Sequence, residues 1–236
     1  MLTDSAQALL RLLQLVSPAL PVGAFSYSEG LETLVQTEKI TEAALLYQWL
    51  VQELKYGAVR VEAVVLHQMH ECAKQQNLQQ LNNRNQWLSA FRETEELREQ
   101  SWQMGRSLVR LLVDLEPELQ SVLAEIKEPC NFATAFAIAA AYWKIDAFSA
   151  VLGYLQSWTA NLVNAGVRLI PLGQTQGQKL LLELYPTLAS TAKDAVQLSV
   201  NYPEGEPELR QLLCCNWGLA IASMNHETLY SRLFRS

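Results

Sequence analysis

Charged side chains are scarce in this chain of 236 residues: Lys, Arg, Asp and Glu make up 18%, against about 25% in an average soluble protein. Glycine (10) and proline (8) are also few, so an architecture of strands and tight turns lacks its punctuation. Val (16) and Ile (6) are far outnumbered by Leu (41) and Ala (26). Unbranched side chains lose little rotamer freedom in a helix, whereas β-branched ones favour strands, so the bias is helical. The four cysteines, at 72, 130, 214 and 215, form no Cys-x-x-Cys pair, which argues against a disulfide framework and for reduced thiols. No basic stripe exists and the net charge is −6, so a nucleic-acid partner is excluded. A positive leader followed by a cleavage pattern is also missing, and the expected location is the cytoplasm.

What charge there is clusters. Residues 84–128 hold fifteen charged side chains, while residues 129–178 hold three, Lys144, Asp146 and Arg168. The longest uncharged run, Ala147 to Val167, is long enough to cross a membrane, but it carries Gln156, Ser157, Thr159, Asn161 and Asn164. Those groups would lack partners in lipid, so the run is expected as a helix buried in protein, with no membrane role.

Helical periodicity starts early. Thr3 is positioned to cap a helix that runs to Val16, and Pro18 stops it. Residues 17–26 form a rigid loop with two prolines. A long helix is expected over 41–76, capped by Thr41 and broken or bent at Gly57. Residues 77–83 read as a loop. A charged helix follows over 85–114, with an inward stripe of Leu97, Ser101, Met104, Leu108 and Leu111. Pro117 starts a short helix that Pro129 ends. Residues 133–143 suit close helix–helix approach, and Asp146 caps a helix with Val151, Leu155, Trp158 and Leu162 on one face. A turn over 166–177 precedes helices near 178–185, 187–200 and 207–224. The expected fold is all-α, a single-domain bundle of roughly eight to ten helices over residues 1–236 without a significant sheet.

Catalytic patterns fail on spacing. Gly173 to Lys179 has three residues between its glycines and Gln after the second, where a phosphate loop needs four and then Lys. No Gly-x-Ser-x-Gly elbow is present. Glu93, Glu95, Glu96 and Glu99 read as a solvated face. His67 and His70 share a helix face near Cys72, but a strong third metal ligand is missing, so they are weak candidates and no metal or cofactor is expected to be bound stably. The final residues are different in kind. Residues 226–236 set Tyr230, Leu233 and Phe234 beside Arg232 and Arg235, the composition of an interface hot spot, or of a segment docked on its own core.

Four blocks carry a resemblance. They are residues 17–28 with Gly30-Leu31-Glu32; Ser101 to Arg106; Arg168 to Thr175 with Gly177-Gln178; and His226-Glu227 with residues 232–236. In this order the blocks resemble the UreF family of urease accessory proteins. Gln176 departs from the acidic residue that the resemblance implies at this place in many relatives. The resemblance implies a non-enzymatic, cytosolic, all-helical homodimer. It would join the accessory protein UreD (UreH in some organisms) and the GTPase UreG on apo-urease, where nickel is inserted. Carried over residue by residue, it implies partner contacts at Pro21, Gly23, Phe25, Tyr27, Glu32, Gly105, Arg106, Arg168, Gln174 and Gln178, with the loop over residues 18–27 placed near UreG or the dimer axis. In the tail it implies contacts at His226, Glu227, Tyr230, Arg232, Leu233, Phe234 and Arg235, first of all to UreD, with a tail (226–236) that orders on partner binding. Two alternatives stay open: a regulator of UreG that supplies an arginine from Arg106, Arg168, Arg232 or Arg235, and a nickel chaperone using His67, His70 and Cys72.

Overall fold

A computed structural model describes residues 3–127, 129–201, 214 and 216–236. Among the described residues there are eleven α-helices and no strand. They are α1 (Asp4–Leu15), α2 (Leu31–Gln36), α3 (Ala43–Tyr56), α4 (Ala58–Lys74), α5 (Leu78–Phe91), α6 (Glu95–Leu115), α7 (Gln120–Ala124), α8 (Phe132–Tyr142), α9 (Ala147–Leu169), α10 (Gln174–Asn201) and α11 (Trp217–His226). Short 3-10 turns lie at Ala24–Ser26 and Pro117–Leu119.

The charge-poor stretch is the centre of the molecule. In α8 every residue from Phe132 to Ala140 is buried, as a helix apolar on all sides must be. Along it packs α4, buried continuously from Val61 to His70, with α6 on another side. Helices α9, α10 and α4 pack against one another. The small residues of α9 permit close approach: Gly153 lies under Leu12 and Val16 of α1, and Gly166 under Leu46 of α3. No described helix is long and apolar enough to cross a membrane.

The helix count exceeds eight to ten because of elements without a local signal, such as α2 and the break at residues 92–94, while the break at Gly57 falls where it was expected. Gly57 separates α3 from α4, with its backbone extended. Thr41 is not the cap of α3; Glu42 holds that position without a side-chain hydrogen bond. Residues 77–83 are not a loop, since Asn77 caps α5 by accepting from the Gln80 N–H at 3.1 Å. The expected 85–114 helix is two, parted at residues 92–94, where Thr94 caps α6. Its stripe closes on Leu112, fully buried, with Leu111 only half-buried. Conversely, Pro186 does not divide α10, which runs unbroken from Gln174 to Asn201. The turn before it shrinks to residues 170–173. The helix expected over 207–224 begins, within the described residues, at Trp217; residues 207–213 and 215 lie outside them.

Candidate partner-binding site

The loop after α1 makes two reversals on left-handed glycines, Gly23 (φ 79°) and Gly30 (φ 80°). A side chain at Gly30 would also press on Ala222 and the Ser223 N–H of α11 at 3.1–3.3 Å, so this position needs glycine twice over. Helix α2 begins at the next residue, which places Glu32 in its first turn, buried.

Glu32 collects the tail. Its Oε1 accepts the Leu233 N–H at 2.7 Å and its Oε2 accepts the Phe234 N–H at 3.0 Å. His226 Nε2 lies 3.2 Å from the same Oε2, while His226 Nδ1 lies 3.0 Å from Glu96 Oε2 on α6. Arg232 completes the row at 3.2 Å from Glu96 Oε1. Backbone bonds then stitch the tail to the loop: the Arg235 N–H donates to the Ser26 carbonyl and the Ser28 N–H to the Ser236 carbonyl, both at 2.8 Å. Arg168, at the end of α9, donates to the Phe25 carbonyl at 2.7 Å and lies over the Phe234 ring at 4.2 Å.

Beneath this frame the tail reaches the interior. Ser236 Oγ donates to Gln100 Oε1 at 2.6 Å, and Gln100 Nε2 donates to Glu29 Oε1 at 2.8 Å. Trp158 Nε1–H donates to the other Glu29 oxygen at 2.9 Å. Deeper still, Arg92 pairs with Glu62 at 2.8 Å, and the Tyr154 hydroxyl donates to Glu62 at 2.7 Å. Burial raises the Glu62 carboxyl, with the Arg92 guanidinium opposing it. Glu29, Glu62, Arg92, Gln100, Tyr154 and Trp158 line a cavity of about 270 Å³, with Pro18, Leu20 and Phe25 also in its wall.

Of the residues read from sequence, Tyr27, Glu32, His226, Arg232, Phe234 and Arg235 meet in this frame, with Arg168 holding its edge. Pro21, Phe25, Tyr230 and Leu233 stand on its outer side, exposed, and Gly23 turns the loop. Glu227 is exposed beside it. The others lie apart. Gly105 packs on the Cys130–Asn131 backbone, Arg106 bonds Gln103 at 3.0 Å on its own helix, and Gln174 and Gln178 are exposed on the first turns of α10. His67 bonds Ser199 at 2.8 Å and His70 the Ile145 carbonyl at 2.9 Å, while burial lowers the His67 ring below the usual histidine range. Among the described residues no group of three or more His, Cys, Asp or Glu could hold a metal ion. Sequence reasoning missed Glu29, Gln100 and Glu96. Glu96 is not part of a solvated face; it sits four residues before Gln100, flanking the apolar stripe, which was the available signal.

The UreF family profile matches residues 40–185. Over nearly full length, the chain is 53% identical to the urease accessory protein UreF of Microcystis aeruginosa, covering 97% of each chain. It is 51% identical to the protein of that name from Synechocystis sp., covering 100% of both. The same identity holds for that of Trichormus variabilis, over 96% of this chain and 95% of the relative. The chain belongs to the UreF family of urease accessory proteins. Both the loop and the tail of this UreF-family chain fall outside the profile match but inside the full-length similarity.

Proposed function

We propose that this UreF-family chain is a non-catalytic scaffold in urease maturation. It bridges UreD (or UreH) and UreG on apo-urease while nickel is delivered. The observation that carries this reading is the outer side of the loop–tail frame. There Phe25 (68% exposed), Leu233 (61%) and Tyr230 stand beside Arg232 and Arg235 on a backbone fixed by Glu32. Aromatic and aliphatic anchors next to planar cations are what binding hot spots are made of, and a pre-ordered backbone lowers the entropy cost of docking. UreD takes this face. Exposed apolar rows elsewhere, Leu9, Leu10 and Leu13 on α1 and Leu182 and Tyr185 on α10, supply area for a homodimer.

The regulator reading keeps Arg106 and Arg235 as its first candidates to reach UreG: Arg168 and Arg232 are held across the loop–tail frame, whereas Arg106 bonds Gln103 and Glu99 of its own helix. The experiment is co-expression with UreD, UreG and apo-urease, comparing wild type with the double variant Tyr230→Ala/Leu233→Ala. The variant is expected to lose UreD co-purification and urease activation while its far-UV helical signal stays unchanged. Retention of both would sink the assignment of the tail. Acceleration of GTP turnover on UreG by roughly 10³ or more, lost in Arg106→Ala or Arg235→Ala, would favour the regulator instead.

A further inference from the structure

The cavity under the loop follows one face of α9, from Tyr154, buried, to Arg168, exposed, a span of about 21 Å at the helical rise per residue. Its charges balance. Glu29 and Glu62 stand in its lining against Arg92 and Arg168. Arg92 pairs with Glu62 at 2.8 Å, and its charge also acts on Glu29. Arg168 donates to the Phe25 carbonyl at the exposed end. A lining without net charge favours neither an anion nor a cation, and either would lose its hydration on entry.

Hydrogen bonding is less even than charge. The buried acceptors are supplied: Glu29 takes Gln100 on one oxygen and Trp158 on the other, while Glu62 takes the Tyr154 hydroxyl and faces Arg92. The donors are not. The Arg92 side chain is only 10% exposed and reaches Glu62 through Nη1, but its Nε–H is buried without an acceptor among the described residues. An unmatched donor on a buried cation is costly, and an incoming oxygen that accepts from it relieves the cost. Leu15, Val22, Met104 and Phe132 supply apolar walls beside it.

We propose that this cavity binds a small neutral amphipathic molecule, its carbonyl oxygen accepting from the Arg92 guanidinium and its short apolar chain lying along α9. The head must bring an acceptor, which the wall lacks, and no charge, which the wall already balances. A volume of about 270 Å³ lies just below the range of pockets for drug-sized ligands, so the chain is limited to a few carbons. The site is independent of the scaffold reading, which rests on the outer face.

The test is calorimetric titration of the full chain with hexanamide, n-hexylammonium chloride and sodium hexanoate, which share a chain and differ in the charge of the head. Saturable one-site binding of the amide is expected, at least about tenfold tighter than either ion, a difference of roughly 1.4 kcal/mol. The Arg92 Nε–H resonance of isotope-labelled protein should shift as the amide saturates. Arg92→Lys, checked for folding by its melting profile, keeps a cation facing Glu62 but has no Nε–H, and should lose the preference for the amide. If the variant does not fold, the three probes and the Nε–H resonance on wild type still decide. Equal or tighter binding of either ion, or an unmoved Arg92 resonance at saturation, would overturn the proposal. So would no saturation by about 20 mM, weaker than ordinary site affinities and the result expected of a cavity that takes only water.

Discussion

Glu32 and His226, 194 residues apart in sequence, meet at 3.2 Å with both side chains almost wholly buried. The same Glu32 oxygen takes the Phe234 N–H, so one carboxylate binds the end of α11 and the tail beyond it. Glu32 thereby turns two distant stretches of chain into one face. Cutting the chain before residue 226 would therefore remove more than a partner contact: it would strip Glu32 of His226 and of the Leu233 and Phe234 N–H groups. Point changes on the outer side are the cleaner probe of binding.

Glu32→Gln should release the tail. The amide keeps one acceptor but loses the second oxygen, which faces His226 and the Phe234 N–H, and breaking a buried pair by removing one partner typically costs about 3–5 kcal/mol. We expect a drop in stability of that order in chemical denaturation. Hydrogen exchange at the Leu233 and Phe234 amides should accelerate at least about tenfold, since their acceptor is weakened. Unchanged exchange at both amides would show that the tail is held by something other than Glu32.

Glu53 should make stability fall as pH rises from about 4.5 towards 8. Burial pushes its carboxyl up to about 8, with the negative charges of Glu29 and Glu93 adding to the effect. Between the ordinary value of 4.5 and about 8, the folded protein holds a proton that the unfolded chain has released. Stability is then full below the lower value and is lost as pH rises through the higher one. Glu53→Gln removes the titration. Wild type should lose about 3 kcal/mol relative to the variant between about pH 5.5 and 8.5, taking 1.36 kcal/mol per pH unit as the scale. Parallel pH profiles in urea denaturation would contradict this assignment.

The readable parts of the fold were those fixed by local chemistry. Thr3 caps α1 by accepting from the Ala6 N–H and Asp146 caps α9 by accepting from the Ser149 N–H, as their positions before apolar periodicity suggest. The failures have tertiary causes. The break at residues 92–94 carries no glycine or proline; it turns the chain so that Arg92 reaches Glu62 on α4. Pro186 costs its helix a hydrogen bond, yet it is exposed, and Leu184 and Leu188 on either side of it are buried and hold the line of α10. At the site, motif blocks marked the loop and the tail, but Glu32 meeting His226 is a long-range pairing that no local pattern encodes. Glu96 looked solvated because its neighbours Glu95 and Glu99 are.

Gly105→Ala should destabilise the fold from inside α6. An added Cβ would come within 2.1 Å of the Cys130 carbonyl oxygen and 2.8 Å of the Asn131 carbonyl carbon. Both are backbone atoms, and the turn cannot swing aside easily, because the Asn131 N–H donates to the buried Asn85 at 2.9 Å. Overpacking of this kind costs about 1–3 kcal/mol, against a gain in helix propensity from alanine of up to about 1 kcal/mol, and contact with two fixed backbone atoms puts the cost toward the upper end. A lowered thermal midpoint is the expected reading, and an unchanged or raised one would mean that α6 and the turn can separate without cost.

Leu233 and Phe234 should part company although they are neighbours in sequence. Leu233 is 61% exposed, whereas Phe234 is 4% exposed and belongs to the hydrophobic core under the Arg168 guanidinium. Truncating an exposed side chain away from any specific contact changes stability by less than about 0.5 kcal/mol. Truncating a buried phenylalanine costs about 3–5 kcal/mol in a rigid core, and a tail that can partly collapse into the space should give the lower end. Phe234→Ala is therefore expected to lower the unfolding midpoint and to free the Arg168 side chain from the ring. Leu233→Ala should leave the midpoint in place and weaken only association with UreD. Equal losses of stability in the two variants would mean that the outer side of the tail is packed against its own subunit, and the partner face would have to be sought elsewhere.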